Sequence, residues 1–262
     1  MLRITSRHNP RLREALRLVA SARDRRKAGR CVLEGEHLIE VYAQRIGAPE
    51  TLVVAEPFLE RAGVCALARR FDDRALVVPA PLFHEMAVLP AEVGVLAVVP
   101  APRVPLSPGG AFCLLLDEVQ DPGNVGSILR SAAAAGATDV YLSRGCAFAW
   151  APKVLRAGMG GHFHLAIHED VDLPAWAAQY RAGGGTLAAG VGRGGQDLYA
   201  APMPRPLAIA VGNEGAGLSS ALLAASSVRV SIPMPGGVES LNAAAAAAVL
   251  LFEAVRRVRA PA

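Results

Sequence analysis

No apolar run in this sequence reaches the roughly 18 residues that a membrane-spanning helix needs. The alanine-rich stretches, including the six alanines of 243–248, are therefore expected in packed helices. The start, "MLRITSRHNPRLREALRLV", is basic but lacks the continuous apolar core of a secretory signal. A soluble, intracellular, cytoplasmic protein is expected. Cysteine is scarce: Cys31, Cys65, Cys113 and Cys146 lie far apart and form no CxxC pair. That spacing argues against a redox motif or a zinc ribbon and for buried free thiols. No fixed-period repeat and no low-complexity tail appears. Nor does any aromatic residue stand among the first thirty, where positive charge is densest.

What is present is an ample core and an uneven charge. Of 262 residues, 52% are hydrophobic and 19% charged, which suits a small domain joined to a medium one. Residues 1–30 hold ten Lys and Arg against Glu14 and Asp24, a net +8; the whole chain is +4, so the other 232 residues sum to −4. Positive charge gathered at one end suits a polyanion such as nucleic acid. Arg23, Arg25, Arg26 and Lys27, at the densest point, are the expected RNA contacts.

Helix-like and strand-like segments alternate throughout, the pattern of an α/β protein. "NPRLREALRLVASA" carries a helical stripe; "CVLEG", "ETLVVA", "ALVVP" and "VGVLAVVP" read as strands, with helices between them. "PAPRVPLSPGG", residues 100–110, has four prolines and two glycines and is read as a linker. It divides a small α/β substrate-binding domain, 1–99, from a second domain, 111–262. There "FCLLLD", "DVYLS", "FHLAIH", "TLAAGV", "LAIAVG" and "VRVSIP" make six strands of a doubly wound parallel sheet, and a long helix closes the chain.

Two motifs are set aside. "GVGRGG", residues 190–195, matches G-x-G-x-x-G after a strand, but no helical stripe follows to hold a pyrophosphate, so a nicotinamide or flavin site is not expected. His162 and His164 share a strand face in "GHFHLAIH" with no third ligand at metal spacing, and no metal is expected.

Three loops remain, each after a strand, where open α/β sheets bind ligands. In "DEVQDPGNVGSILRSAAAAGA", Pro122-Gly123 fits a type II turn, Asn124 a helix cap, and Arg130 stands alone in a helix of small and apolar residues. In "VGNEGAGLSS", glycines surround a single carboxylate, Glu214; so bare a backbone can wrap a small molecule. In "SIPMPGGVESLN", Ser240 reads as an N-cap and Asn242 as a first-turn residue.

In this order and spacing the three resemble the motifs of the SpoU (TrmH-type) RNA ribose 2′-O-methyltransferases, a branch of the SPOUT superfamily. The resemblance spans roughly residues 112–257, and "ITSRHNPRLREALRL…RRKAGRCVLEGEHLIEVY" is similar to the small substrate-binding domain that many members carry. It implies a deep trefoil knot in the C-terminal α/β/α domain, S-adenosylmethionine as cofactor and a homodimer with its active site near the interface. Carried over motif by motif, it implies that Gly212, Asn213, Ile232 and Leu241 hold the cofactor, with Gly190 and Val191 at a neighbouring strand end. It implies that Arg130, Asn124, Glu214, Ser240 and Asn242 are catalytic. Family members commonly continue the third motif as Asn-Val-Ser; here it is Asn242-Ala243-Ala244, without that serine hydroxyl.

The reaction explains the arginine. A ribose 2′-hydroxyl is a poor nucleophile at neutral pH and must be positioned while its developing charge is stabilised. A guanidinium with a pKa above about 12 does not act as a base, so Arg130 is expected to bind the target phosphate and the alkoxide. The attached N-terminal domain favours large-subunit ribosomal RNA as substrate over transfer RNA. The rival from another class is a catalytically silent RNA-binding protein of the same fold.

Overall fold

The computed structural model describes residues 1–86 and 93–259. Residues 87–92, within the expected first domain, and 260–262, at the end of the second, lie outside the described residues. In chain order the elements are β1 (Leu2–Arg3), α1 (Pro10–Ala20), α2 (Ala22–Ala28), β2 (Arg30–Glu34), α3 (Glu36–Arg45), β3 (Thr51–Ala55), α4 (Ala62–Arg70), β4 (Ala75–Val78), α5 (Ala80–His84) and β5 (Val95–Pro100). Then follow β6 (Phe112–Asp117), α6 (Pro122–Ala134), β7 (Asp139–Leu142), α7 (Pro152–Gly158), β8 (Ala166–His168), α8 (Leu173–Ala182), β9 (Thr186–Gly190), β10 (Gln196–Asp197), β11 (Leu207–Gly212), α9 (Ser220–Ala225), β12 (Val228–Ser231) and α10 (Ala243–Arg259). The chain forms two compact units: Met1–Pro102 with Trp150–Phe163, and Arg103–Ala149 with His164–Ala262.

In the first unit the described strands form a five-stranded sheet of order β1-β4-β3-β5-β2, parallel except where β5 meets β3 and β2. Helix α1 starts where the sequence dictates. Asn9 Oδ1 accepts from the N–H groups of Arg11 and Leu12, and Pro10 takes the first position, where a missing N–H costs nothing. Its stripe of Leu12, Ala15, Leu18 and Val19 packs with Val32, Val53, Leu76 and Leu96 of the sheet. Helix α2 is not foreshadowed by any apolar stripe. It begins at the Ser21 cap and ends at Gly29 in the left-handed region (φ 63°). Its one buried residue is Arg25, whose Nη1 donates to the carbonyls of Leu18 (2.6 Å) and Val19 (2.8 Å) at the end of α1. The expectation that Arg25 contacts RNA is therefore corrected: the guanidinium satisfies helix-end carbonyls that would otherwise lack donors.

In the second unit the described strands form an all-parallel seven-stranded sheet, β10-β12-β9-β11-β6-β7-β8, one strand more than expected because β10 has only two residues. Strands β6 and β11, apolar on both faces, lie in register from Phe112↔Leu207 to Asp117↔Gly212. From β6 the chain passes through α6 to β7 on one side, while β11 sits on the other. The carboxyl ends of β6 and β11 thus flank a switch point where such sheets take ligands. Helix α10, with its run of alanines, packs on α6 and β11.

Two further expectations change. The stretch Arg103–Gly110 is no loose spacer. The Ser107 carbonyl accepts from Trp176 Nε1 (3.1 Å) and Tyr141 OH (3.3 Å), and that of Gly110 from Tyr180 OH (3.1 Å). His162 and His164 do not share a strand face: after Gly160, in the left-handed region (φ 86°), Gly161–His164 is a 3-10 turn and the strand begins only at Ala166. No helix among the described residues is long and apolar enough to cross a membrane. The four cysteines are free; Cys31 and Cys113 are buried, Cys65 and Cys146 half-buried. Burial pushes the Cys113 thiol up to about 12 and raises Cys31 and Cys146 as well, which leaves these thiols unreactive.

Candidate active site

The three glycine-bearing loops meet beyond the carboxyl ends of β6 and β11, and side-chain bonds to backbone hold them there. Asp117, the last residue of β6, is buried and its Oδ2 accepts from the N–H of Ser219 (2.9 Å). Glu118 adopts a positive φ of 56°, and its carbonyl accepts from Asn213 Nδ2 (2.9 Å). Asn213 in turn shapes its own loop, with Oδ1 accepting from the N–H groups of Gly215 and Ala216, both at 2.9 Å. A Cβ at Gly212 would stand 2.3–2.4 Å from the backbone of Gly217 and Leu218. Only glycine lets the chain fold back on itself there.

Helix α6 begins differently from expectation. Asp121 is the N-cap, its Oδ1 accepting from the N–H of Asn124 (2.8 Å), and Pro122 and Gly123 are already helical. An acid before a proline is the better cap, so no type II turn forms and the Asn124 side chain is released for other work. The third loop shows the same exchange of roles. Ser240 does not cap α10; Asn242 does, with Oδ1 accepting from the N–H groups of Ala244 (2.9 Å) and Ala245 (3.4 Å). With its oxygen so engaged, Asn242 has only Nδ2 to offer. It donates to Asn124 Oδ1 (3.0 Å), and Asn124 Nδ2 donates to Glu214 Oε1 (2.8 Å). One residue from each loop thus joins an amide–amide–carboxylate chain.

Burial favours the neutral form of Glu214. The hydrogen bonds from Asn124 and from the backbone of Glu214, Asp121 and Gln120 outweigh that and hold its carboxyl below the usual carboxylate range.

Beside this chain lies a cavity of about 260 Å³. Gly190, Val191, Gly212, Asn213, Ile232 and Leu241, the residues expected to hold a cofactor, all line it, as do Glu214 and Ser240. Met234 and Leu250 add apolar wall that sequence reasoning did not single out. Backbone is bare along the rim: a Cβ at Gly192 or Gly217 would meet no protein atom within 4 Å. Arg130 is not part of this cluster. It is exposed on α6, lines no part of the cavity and, among the described residues, makes no hydrogen bond or ion pair. Six positions beyond Asn124, it points about 120° away around the helix. Sequence reasoning also missed Asp117, Glu118 and Asp121, although an acid at a strand end and an acid before a helix-opening proline are readable signals. The loop after Gly190 leads into β10 and not a helix, which leaves the dinucleotide reading of 190–195 without its helix N-terminus.

These features define a class: an α/β enzyme that takes a small, partly apolar ligand against bare backbone at the carboxyl edge of a parallel sheet. Comparison with known proteins narrows it. Residues 111–252 match the model of the SpoU rRNA Methylase family. An uncharacterised tRNA/rRNA methyltransferase of Synechocystis is 34% identical, covering 97% of this chain and 93% of the relative. A 23S rRNA guanosine 2′-O-methyltransferase of Bacillus subtilis is 31% identical over 96% of this chain and 98% of its own. The solved structure of the SpoU methyltransferase AviRb from Streptomyces viridochromogenes with AdoMet superposes with a TM-score of 0.83 at 30% identity, covering 97% of this chain and all of that one. The chain belongs to the SpoU (TrmH-type) family of RNA 2′-O-methyltransferases, whose cofactor is S-adenosylmethionine.

The cavity fits that cofactor. Its volume is just under the usual 300–1,000 Å³ or so of ligand sites and it is open at the rim. Val191, Ile232, Met234 and Leu241 supply apolar wall, and the backbone at Gly192, Gly212 and Gly217 supplies polar groups without side chains in the way.

Proposed function

We propose that this protein methylates a ribose 2′-hydroxyl of large-subunit ribosomal RNA in the cytoplasm, as a homodimer with a knotted second unit. The observation that carries the catalytic reading is the Asn242–Asn124–Glu214 chain beside the cavity. Bound there, S-adenosylmethionine supplies an electrophilic methyl group. The chain's own residues do the rest. The amide–carboxylate relay fixes Glu214 at the cavity wall, Ser240 offers a hydroxyl beside it, and both are placed to orient the incoming ribose. With the cofactor held against Val191, Gly212, Ile232 and Leu241, Glu214 and Ser240 would hold the 2′-hydroxyl toward it, and the hydroxyl's proton would pass to water or phosphate. Arg130, permanently charged, binds the target phosphate and the developing alkoxide. Since it lines no part of its own cavity, it serves from the partner protomer.

Several observations support the remaining terms. Relatives named for 23S rRNA align along nearly the whole chain, one for a guanosine and one for a uridine, as expected if the shared motifs address ribose and the base is read elsewhere. Four unpaired cysteines suit a reducing compartment. The knot is favoured by the order of the sheet: β12 takes its place between β9 and β10 after β11 has paired with β6, and α10 then returns to α6. The dimer is favoured by Phe252, 48% exposed on α10. The first unit, with Arg23, Arg26 and Lys27 exposed on α2, supplies RNA affinity. The test is transfer of labelled methyl from S-adenosylmethionine to unmodified large-subunit ribosomal RNA, followed by mapping of ribose methylation. Methylation of transfer RNA alone would overturn the substrate assignment.

A further inference from the structure

The first thirty residues carry ten cations, but the fold does not leave them equivalent. Arg25 is buried against the end of α1. Arg11 donates to the Arg74 carbonyl (2.9 Å), Arg3 pairs with Glu56, and Arg30 pairs with both Glu14 and Glu50. Of the other six, three sit on α2 and three, Arg7, Arg13 and Arg17, gather along α1. Arg7, His8, Arg13 and Arg17 line a concave groove of about 750 Å³ along α1. All four are exposed, and among the described residues none makes an ion pair. The one carboxylate in the groove, Glu14, is held by Arg30, which it shares with Glu50. Charges that the fold leaves uncompensated around a hollow mark a place for an anion from outside.

We infer that this groove is a cradle for the RNA backbone, and that it, more than α2, supplies the sequence-independent affinity of the first unit. The inference rests on the reading that this unit binds RNA. Arg13 and Arg17 stand one helical turn apart, about 6 Å along the axis, so two guanidinium forks face the same side of the helix and can hold neighbouring phosphates. Arg7 reaches the groove from the segment before the Asn9 cap and takes a third. Guanidinium suits this work better than ammonium, because its planar fork donates two parallel hydrogen bonds to one phosphate. Leu16 forms an apolar floor against which a sugar edge can lie.

The experiment compares two triple variants of the full chain, Arg7→Gln/Arg13→Gln/Arg17→Gln and Arg23→Gln/Arg26→Gln/Lys27→Gln. Both bind an unmodified large-subunit ribosomal RNA transcript across a salt series. Losing three phosphate contacts should flatten the plot of log Kd against log salt by about 2–3, at roughly 0.7–0.9 per contact, and raise KM for RNA at least tenfold. Cofactor Kd should not move, which excludes a general loss of structure. Replacing the same three arginines by lysine should restore most of the salt slope, since charge carries that term. A groove variant with wild-type slope and affinity overturns the inference. If the α2 variant alone then loses its slope, RNA binding by the first unit stands and only the groove falls. If neither variant changes, both readings fall.

Discussion

Asn124 and Glu214, ninety positions apart, meet through a 2.8 Å hydrogen bond from amide to carboxylate. That bond works against burial, which on its own would raise the Glu214 pKa. The sign follows. In the native protein the carboxyl titrates below its ordinary value of about 4.3, so Glu214 is ionised throughout the neutral range and loses its charge only as pH falls through the depressed value. Asn124→Ala removes the side-chain donor and leaves only the backbone groups of Glu214, Asp121 and Gln120 to oppose desolvation. The acid limb of the methyl-transfer pH profile should move to higher pH, and turnover should fall on the order of 10²-fold as Glu214 loses its position. An unmoved acid limb would mean that Glu214 does not take part in the reaction.

Gly192 and Gly212 both line the cavity but should respond differently. A Cβ at Gly192 meets open space, whereas one at Gly212 collides with the backbone of Gly217 and Leu218. Gly192→Leu should occupy cavity space with no clash at its Cβ: thermal stability within a degree or two, cofactor affinity down tenfold or more. Gly212→Val should weaken cofactor binding and also lower Tm, because the second loop cannot close. Calorimetry with S-adenosylmethionine and a melting curve separate the two. Wild-type affinity in Gly192→Leu would mean that the cofactor binds elsewhere.

Arg25 should behave as part of the fold. Arg25→Ala strands the buried carbonyls of Leu18 and Val19, at about 1–3 kcal/mol, visible as a lower urea midpoint. The salt dependence of RNA binding should be that of wild type. A flattened salt slope with unchanged stability would return Arg25 to the RNA interface.

How far the sequence reaches is clear from these residues. The parallel core was legible because β6 and β11 are apolar without interruption. The glycine loops were legible because glycine clusters have few other uses: Gly212, Asn213, Ile232 and Leu241 of the motifs, with Gly190 and Val191 of the neighbouring strand end, line one cavity. Strands of two residues, β1 and β10, carry no periodicity to read. Helix α2 was hidden because its sequence, Ala-Arg-Asp-Arg-Arg-Lys-Ala, buries only an arginine and relies on its end caps. Charge counting could not tell which arginine turns inward, since that depends on where α1 ends. The capping roles given to Asn124 and Ser240 were misassigned for a related reason: Asp, Asn and Ser all cap helices, and it is Asp121 that caps α6 and Asn242 that caps α10.

Arg130 tests both the mechanism and the assembly. A surface arginine replaced by alanine changes stability by no more than about 0.5 kcal/mol and leaves rate alone. One that stabilises developing charge costs about 10²–10³ in turnover. Arg130→Ala should show the second behaviour, with cofactor affinity nearly intact because Arg130 stands outside the cavity. Arg130→Lys should recover little, having kept the charge and lost the fork. Where the arginine acts is decided by mixing. If it serves the partner's site, co-refolding inactive Arg130→Ala with inactive Glu214→Ala gives heterodimers in which one site has both an intact Glu214 and an intact Arg130, and activity returns. If it serves its own site, every site in the mixture keeps one defect and activity stays absent. Restored single-turnover methyl transfer in the mixture is the expected result. Persistent inactivity, in heterodimers verified by tag-specific pull-down, would refute the shared site. Arg130→Ala with wild-type turnover would remove the arginine from the mechanism altogether.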